Sequence, residues 1–225
     1  MSGKAYNGEK AVISLTSWKA RIKTVGITIF SIMKMCPEFH IVLVLSEEEF
    51  PTKEAELPYD LNLLVRVGRL EILWIYPNLK SLKKVLPTMR VYSSVPIISA
   101  DDDCMYICNY ARIMYDKWLQ HPDDCVKYTQ EGDYKGTQGP STLYNPKCFP
   151  LLLNEFDKRY ADNVSAYSGM DDAFMSETLL NNGYKIIPCS SHYCFRFHDE
   201  IGAIHPNIST LPLYRECYSP FTGVY

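Results

Sequence analysis

Val95-Pro96-Ile97-Ile98-Ser99-Ala100 runs without a turn into Asp101-Asp102-Asp103. The apolar run has strand character, and the carboxylates mark its carboxyl end. Three adjacent carboxylates repel one another, so the cluster adds no stability of its own. A hard divalent cation would relieve that repulsion, and oxygen donors suit magnesium or manganese. Alternate residues of an extended segment point the same way. Asp101 and Asp103 are therefore expected to share one ligand site while Asp102 faces elsewhere. The bland alternative is a solvated acidic loop, and the order of the surrounding elements weighs against it.

Upstream, strand and helix patterns alternate. Ala11 to Leu15 reads as a strand. Ile22, Val25, Ile29, Ile32 and Met33 recur at helical spacing, and Pro37 ends that helix. His40 to Leu45 is almost continuously apolar, which suits a parallel strand covered on both faces. A polar loop with Pro51 and Pro58 leads to a third strand over Leu70 to Ile75. Leu79, Leu82, Val85 and Leu86 predict a short helix stopped near Pro87, before the strand that ends in the aspartates. This pattern predicts an α/β fold: a mostly parallel central sheet flanked by helices. Such sheets bind ligands at the carboxyl ends of their strands.

Downstream the pattern is less regular. A helix is predicted over 107–120, a short strand over 124–128, and a glycine-bearing loop over 132–140. Helices follow over 148–160 and 171–182, the second stopped by Gly183, and then a strand over 184–188. The division expected is one domain over 1–225. It comprises a ligand-binding half at 11–103, a second half at 104–205, and an irregular tail at 206–225.

Other clusters fall on the same sheet edge. Thr16-Ser17-Trp18-Lys19-Ala20-Arg21 follows the first strand and offers hydroxyls, an indole and a guanidinium, groups able to hold a base and a ribose. Lys80 and Lys84 lie one α-helical turn apart, which predicts a shared cationic face suited to a diphosphate. Gly169-Met170-Asp171-Asp172 opens a helix; capping explains such carboxylates, and a catalytic base is the functional alternative. His192, His198 and His205 are late histidines able to meet a metal or a phosphate.

Composition excludes several classes. With 225 residues, 47% of them apolar, the chain can bury a core. The net charge of -3 leaves no basic field for nucleic acid. No run approaches the roughly 18 apolar residues of a membrane span. The polar start lacks the apolar middle of a signal peptide. The expectation is a cytoplasmic protein, with work at the inner face of the membrane open to it through a partner or a lipid-linked substrate. Eight cysteines include no Cys-x-x-Cys pair, so buried thiols are expected rather than a zinc ribbon or a disulfide framework. Phosphate-loop, dinucleotide-binding and serine-hydrolase fingerprints are missing from the sequence.

Four segments together resemble bacterial glycosyltransferases of the A-type, nucleotide-diphospho-sugar transferase fold, in a family-2-like form. They are Val12 to Trp18 with Arg21, Lys80 to Pro87, Pro96 to Asp103, and Asp171-Asp172 before an apolar helix. The resemblance implies a nucleotide-sugar donor and a glycan or lipid-linked acceptor, in cell-surface polysaccharide synthesis. It implies that Thr16, Ser17, Arg21, Lys80, Lys84, Asp101 and Asp102 bind the nucleotide-sugar. Asp101 and Asp103, with His198, would hold Mn2+ or Mg2+. Asp172, with Asp171 beside it, would supply the base of an inverting reaction. Leu143-Tyr144-Asn145-Pro146 would border the sugar and acceptor. The pair at 171–172 departs from the Glu-Asp of many members. The alternatives are a metal-dependent phosphohydrolase or nucleotidyltransferase using the same aspartates, and an inactive glycosyltransferase-like binding module.

Overall fold

The computed structural model describes residues 10–128, 140–150, 171–189 and 194–196. The first half contains β1 (Val12–Thr16), α1 (Val25–Met35), β2 (His40–Ser46), α2 (Tyr59–Arg66) and β3 (Glu71–Ile75). A 3-10 helix (Lys80–Lys84), α3 (Leu86–Val91) and β4 (Ile97–Ala100) complete it. Then come β5 (Cys104–Tyr106), α4 (Tyr110–Trp118), β6 (Cys125–Tyr128) and β7 (Thr142–Tyr144). The last described elements are α5 (Asp171–Asn181), β8 (Ile186–Cys189) and β9 (Cys194–Arg196).

Among the described residues, seven strands form one sheet in the order β3-β2-β1-β4-β7-β6-β8, and β5 pairs with β9 separately. β3, β2, β1 and β4 run parallel, and β8 is parallel to β6. β7 is antiparallel to both its neighbours. The fold is thus α/β with a mostly parallel sheet, as expected.

Strand alternation divides the side chains between two cores. Ile13, Leu15, Ile41, Leu43, Leu45, Ile98 and Ala100 pack against α1, α2 and α4. Val12, Val42, Val44 and Ile97 pack on the other face, with Leu82, Met89, Phe174 and Leu179. A sheet covered on both faces buries every residue of a central strand, which is why these strands read as unbroken apolar runs. One buried polar residue interrupts β1. The Ser14 hydroxyl donates to the Lys84 carbonyl at 2.6 Å, and Thr88 Oγ1 lies 2.7 Å from Ser14 Oγ. These bonds fasten the 3-10 helix and α3 to the middle of the sheet.

Three expectations need correction. The polar loop after β2 contains α2: Leu61 and Leu64 are buried, while Tyr59 and Leu63 stay exposed and blur the amphipathic pattern. Pro87 opens α3 instead of closing a helix, since a proline in the first turn lacks only an N–H that has no intrahelical acceptor. The helix expected from 107 begins at Tyr110, because β5 precedes it and Asn109 caps it by accepting the Arg112 N–H at 3.0 Å. Gly183 does end α5, at φ +81°. Of the loop expected over 132–140 and the helix expected over 148–160, residues 132–139 and 151–160 lie outside the described residues, as does the tail expected over 206–225. The seven described cysteines are free thiols. No helix among the described residues is long and apolar enough to cross a membrane.

Candidate functional site

The carboxyl ends of β1 to β4 open onto one edge of the sheet, and the acidic loop after β4 is its centre. Tyr106 frames this loop. Its hydroxyl accepts the Asp101 N–H at 3.1 Å and donates to the Pro140 carbonyl at 2.8 Å. Thr28 Oγ1 donates to the Asp102 carbonyl at 3.0 Å.

The three carboxylates separate. Asp102 turns toward the loop after β1, where it accepts from Ser17 Oγ at 2.7 Å and from Arg21 Nη1 at 2.7 Å. The same guanidinium nitrogen lies 3.3 Å from Asp103 Oδ2. Burial raises the Asp102 carboxyl above its ordinary value, and the Ser17 and Arg21 bonds pull it back. Asp101 and Asp103 come together with Cys104: one ligand atom from each lies within 4.8 Å of the others. Two carboxylate oxygens at that spacing fit a hard divalent cation whose other positions are taken by water or phosphate oxygens. The Cys104 thiol is held protonated, first by its hydrogen bond with the Cys194 thiol and then by burial. It therefore adds little for a hard ion.

Lys84 joins this loop to the head of α5. Its Nζ lies 3.0 Å from Asp101 Oδ1 and 3.1 Å from Asp171 Oδ2. Burial works against its charge, but Asp101, Asp171 and Asp172 outweigh it and hold the ammonium well above its ordinary value. Asp172 retains some accessible surface. Burial of its carboxyl is still the largest influence, and with repulsion from Asp171 it lifts the group well above the aspartate range. Lys84 and Lys127 oppose that rise. Lys127 is 1% exposed on β6 and was missed by the sequence reading; a lysine alternating within an apolar strand is the signal that could have found it.

Lys80 does not share the face of Lys84. The segment is a 3-10 helix, in which residues three apart eclipse and residues four apart diverge. Lys80 is exposed at φ +51°, its N–H donating to Asn78 Oδ1. Lys83 is buried and turns to Glu49.

On the loop after β1, the Thr16 hydroxyl donates to the Val44 carbonyl at 2.7 Å and so braces β2. Among the buried donors that find no acceptor among the described residues are Trp18 Nε1, Arg21 Nε and Ser81 Oγ. Trp18 and Arg21 lie on the loop after β1, and Ser81 lies on the 3-10 helix that follows β3. Leu143, Tyr144 and Asn145 are at most 2% exposed, and Tyr144 acts electrostatically on Lys84. Asn145 spends its side chain on the Lys147 N–H and the Pro122 carbonyl. Gly169, Met170, His192, His198 and His205 lie outside the described residues.

No family model and no curated protein sequence matches the chain. Solved structures do. S. aureus TarS aligns at 12% identity and TM-score 0.54, over 84% of this chain and 37% of that one. TarS 1–349 in complex with UDP aligns at 12% identity and TM-score 0.54, over 94% of this chain and 66% of that one. A cytidylyltransferase from Leptospira borgpetersenii serovar Hardjo-bovis aligns at 13% identity and TM-score 0.54, over 85% and 79%. The chain thus spans between about a third and two thirds of the TarS chains. These likenesses show the fold, that of the A-type nucleotide-diphospho-sugar transferases.

Proposed function

We propose that this chain is a metal-dependent glycosyltransferase that moves a sugar from a nucleotide-sugar donor to a glycan or lipid-linked acceptor, with inversion. One observation carries the reading: Lys84 draws the acidic loop after β4 and the acidic head of α5 into a single site. A transferase needs such a pairing, a place for the donor's diphosphate beside a base for the acceptor. Structures of TarS 1–349 in complex with UDP and with UDP-GlcNAc, on the same fold, support a nucleotide-sugar as donor.

Asp101 and Asp103 would hold Mn2+ or Mg2+, and His198 remains the candidate for a further ligand. The chemistry such a cation supplies when bound is neutralisation of the diphosphate charge as a Lewis acid. The unsatisfied donors of Trp18, Arg21 and Ser81 suit the acceptor atoms of a nucleoside and its phosphates. Ser17 and Arg21 also hold Asp102, so that residue shapes the donor loop.

The two aspartates of α5 then divide their roles. Asp171 is engaged by Lys84 and positions it. Asp172 carries the lifted carboxyl, and a carboxylate with raised proton affinity is a stronger base toward an acceptor hydroxyl than an ordinary aspartate. Donor turnover and donor binding should therefore separate in Asp172→Asn. We expect kcat to fall by about 100-fold or more while donor affinity is kept. Unchanged turnover removes Asp172 from the mechanism, and a product with retained anomeric configuration ends the inverting assignment.

The fold likeness to a cytidylyltransferase favours a second reading, a nucleotidyltransferase on the same aspartates. Release of pyrophosphate from a nucleoside triphosphate and a sugar phosphate, with no transfer from nucleotide-sugars, would establish it in place of the first.

A further inference from the structure

We infer that Lys84 is an exchangeable counter-cation: it occupies Asp101 until a divalent cation takes that carboxylate, and it then stays on Asp171. The inference rests on the reading of Asp101 and Asp103 as the cation's ligands. Lys84 Nζ contacts Asp101 Oδ1 and Asp171 Oδ2 at nearly equal distance, 3.0 and 3.1 Å. Its side chain is 11% exposed. One ammonium therefore has two carboxylate partners and can release one without being left buried and unpaired. The backbone of Lys84 is fixed, since its carbonyl accepts from Ser14 on β1. Exchange is then a movement of the side chain alone, away from the end of β4 and toward the head of α5.

The arrangement at Asp103 differs. Arg21 touches it at 3.3 Å but holds Asp102 at 2.7 Å, so a cation at Asp103 leaves Arg21 with its shorter bond. Among the contacts of the described residues, that of Lys84 with Asp101 sets a protein cation in direct competition with the divalent ion over a short bond. Two consequences follow. Lys84 weakens cation binding in the resting protein. Cation binding also moves positive charge onto α5, beside the carboxyl of Asp172. Lys84 is in this sense a positioning residue that links occupancy of one acidic group to the charge around the other.

The test is direct Mn2+ titration of the full chain without nucleotide, with free Mn2+ followed by electron paramagnetic resonance. The proteins compared are wild type, Lys84→Met and Lys80→Met. Lys80 is exposed on the same 3-10 helix, so its variant removes the same charge without touching Asp101. We expect Mn2+ to bind at least tenfold tighter to Lys84→Met and within threefold of wild type to Lys80→Met. Equal gains in both variants would reduce the effect to bulk charge and overturn the inference. So would unchanged or weaker binding by a folded Lys84→Met, or no binding by any of the three.

If Lys84→Met does not fold, wild-type chain labelled with 13Cε-lysine is titrated with Mg2+, with Lys84 assigned through Lys84→Arg. A shift of the Lys84 resonance that saturates with Mg2+ supports exchange, and a resonance unmoved while Mg2+ binds opposes it. The inference and the transferase reading fail separately. Nucleotide-sugars that are neither bound nor turned over would end the reading while leaving the cation result intact.

Discussion

Lys84 and Arg21 each bridge two carboxylates, but they connect different things. Arg21 fastens the loop after β1 to one turn, the acidic loop after β4: its partners Asp102 and Asp103 are neighbours in the chain, and Ser17 and Thr28 hold the same turn. Lys84 joins two separate elements, the end of β4 and the head of α5. The Arg21 bridge is therefore expected to matter most for stability and the Lys84 bridge for the site. A loop fastened at several points makes a rigid frame, whereas one ammonium shared between two elements makes an adjustable joint.

The harshest way to break this comparison is Arg21→Met. Asp102 and Asp103 side chains are 10% and 7% exposed, so both lose a buried cationic partner. Breaking a buried pair from one side costs about 3–5 kcal/mol. Urea denaturation at neutral pH measures it. A loss near zero would mean that Ser17, Thr28 and solvent carry the loop and that Arg21 is free to serve the ligand.

Much of the frame of this contrast is legible in the sequence, and little of the contrast itself. The run into Asp101-Asp102-Asp103 reads as a strand end because β1, β2 and β4 are covered on both faces and leave an apolar signature. α1 reads from its period for the same reason. Lys84 was singled out, but with Lys80 as its companion. That pairing assumes α-helical geometry, and the 3-10 helix replaces it by bringing residues three apart into line. The sequence offers Arg21 to a nucleoside but does not show that its Nη1 also serves two aspartates; ion pairs between distant segments leave no periodic trace. Lys127 went unnoticed because one charge in a short strand does not disturb the apolar pattern on the opposite face. α2 was hidden by exposed apolar residues, which flatten the difference between its faces.

A milder perturbation sharpens the comparison by reaching Lys84 from beneath. Ser14→Ala removes the donor to the Lys84 carbonyl and the partner of Thr88, both in the interior. Leaving a buried acceptor unsatisfied costs about 1–3 kcal/mol. The loss should appear in denaturation and should be accompanied by altered Mn2+ affinity, since the Lys84 side chain is no longer held at one height above Asp101. The Arg21 side of the site should be unaffected. A stability loss with no change in Mn2+ binding would show that the side chain of Lys84 finds Asp101 without its backbone anchor.

The smallest effect per step concerns Asp172, and it has a definite sign. Its carboxyl is lifted in the folded chain by burial and by Asp171, whereas in the unfolded chain it titrates near the ordinary value of about 3.9. Between those two values the folded state holds more proton than the unfolded state, so stability falls as pH rises through the window. Below the unfolded value both states are protonated and this group contributes its full advantage. The slope from one such group is at most about 1.4 kcal/mol per pH unit. Asp172→Asn cannot lose a proton, so its stability relative to wild type should rise across the window and level off above it. Thermal melts of the two proteins at a series of pH values measure the difference. Parallel curves would mean that Lys84 and Lys127 fully offset the burial of Asp172. The carboxyl would then enter the reaction as an ordinary aspartate, and the adjustable Lys84 joint would have no lifted group to act upon.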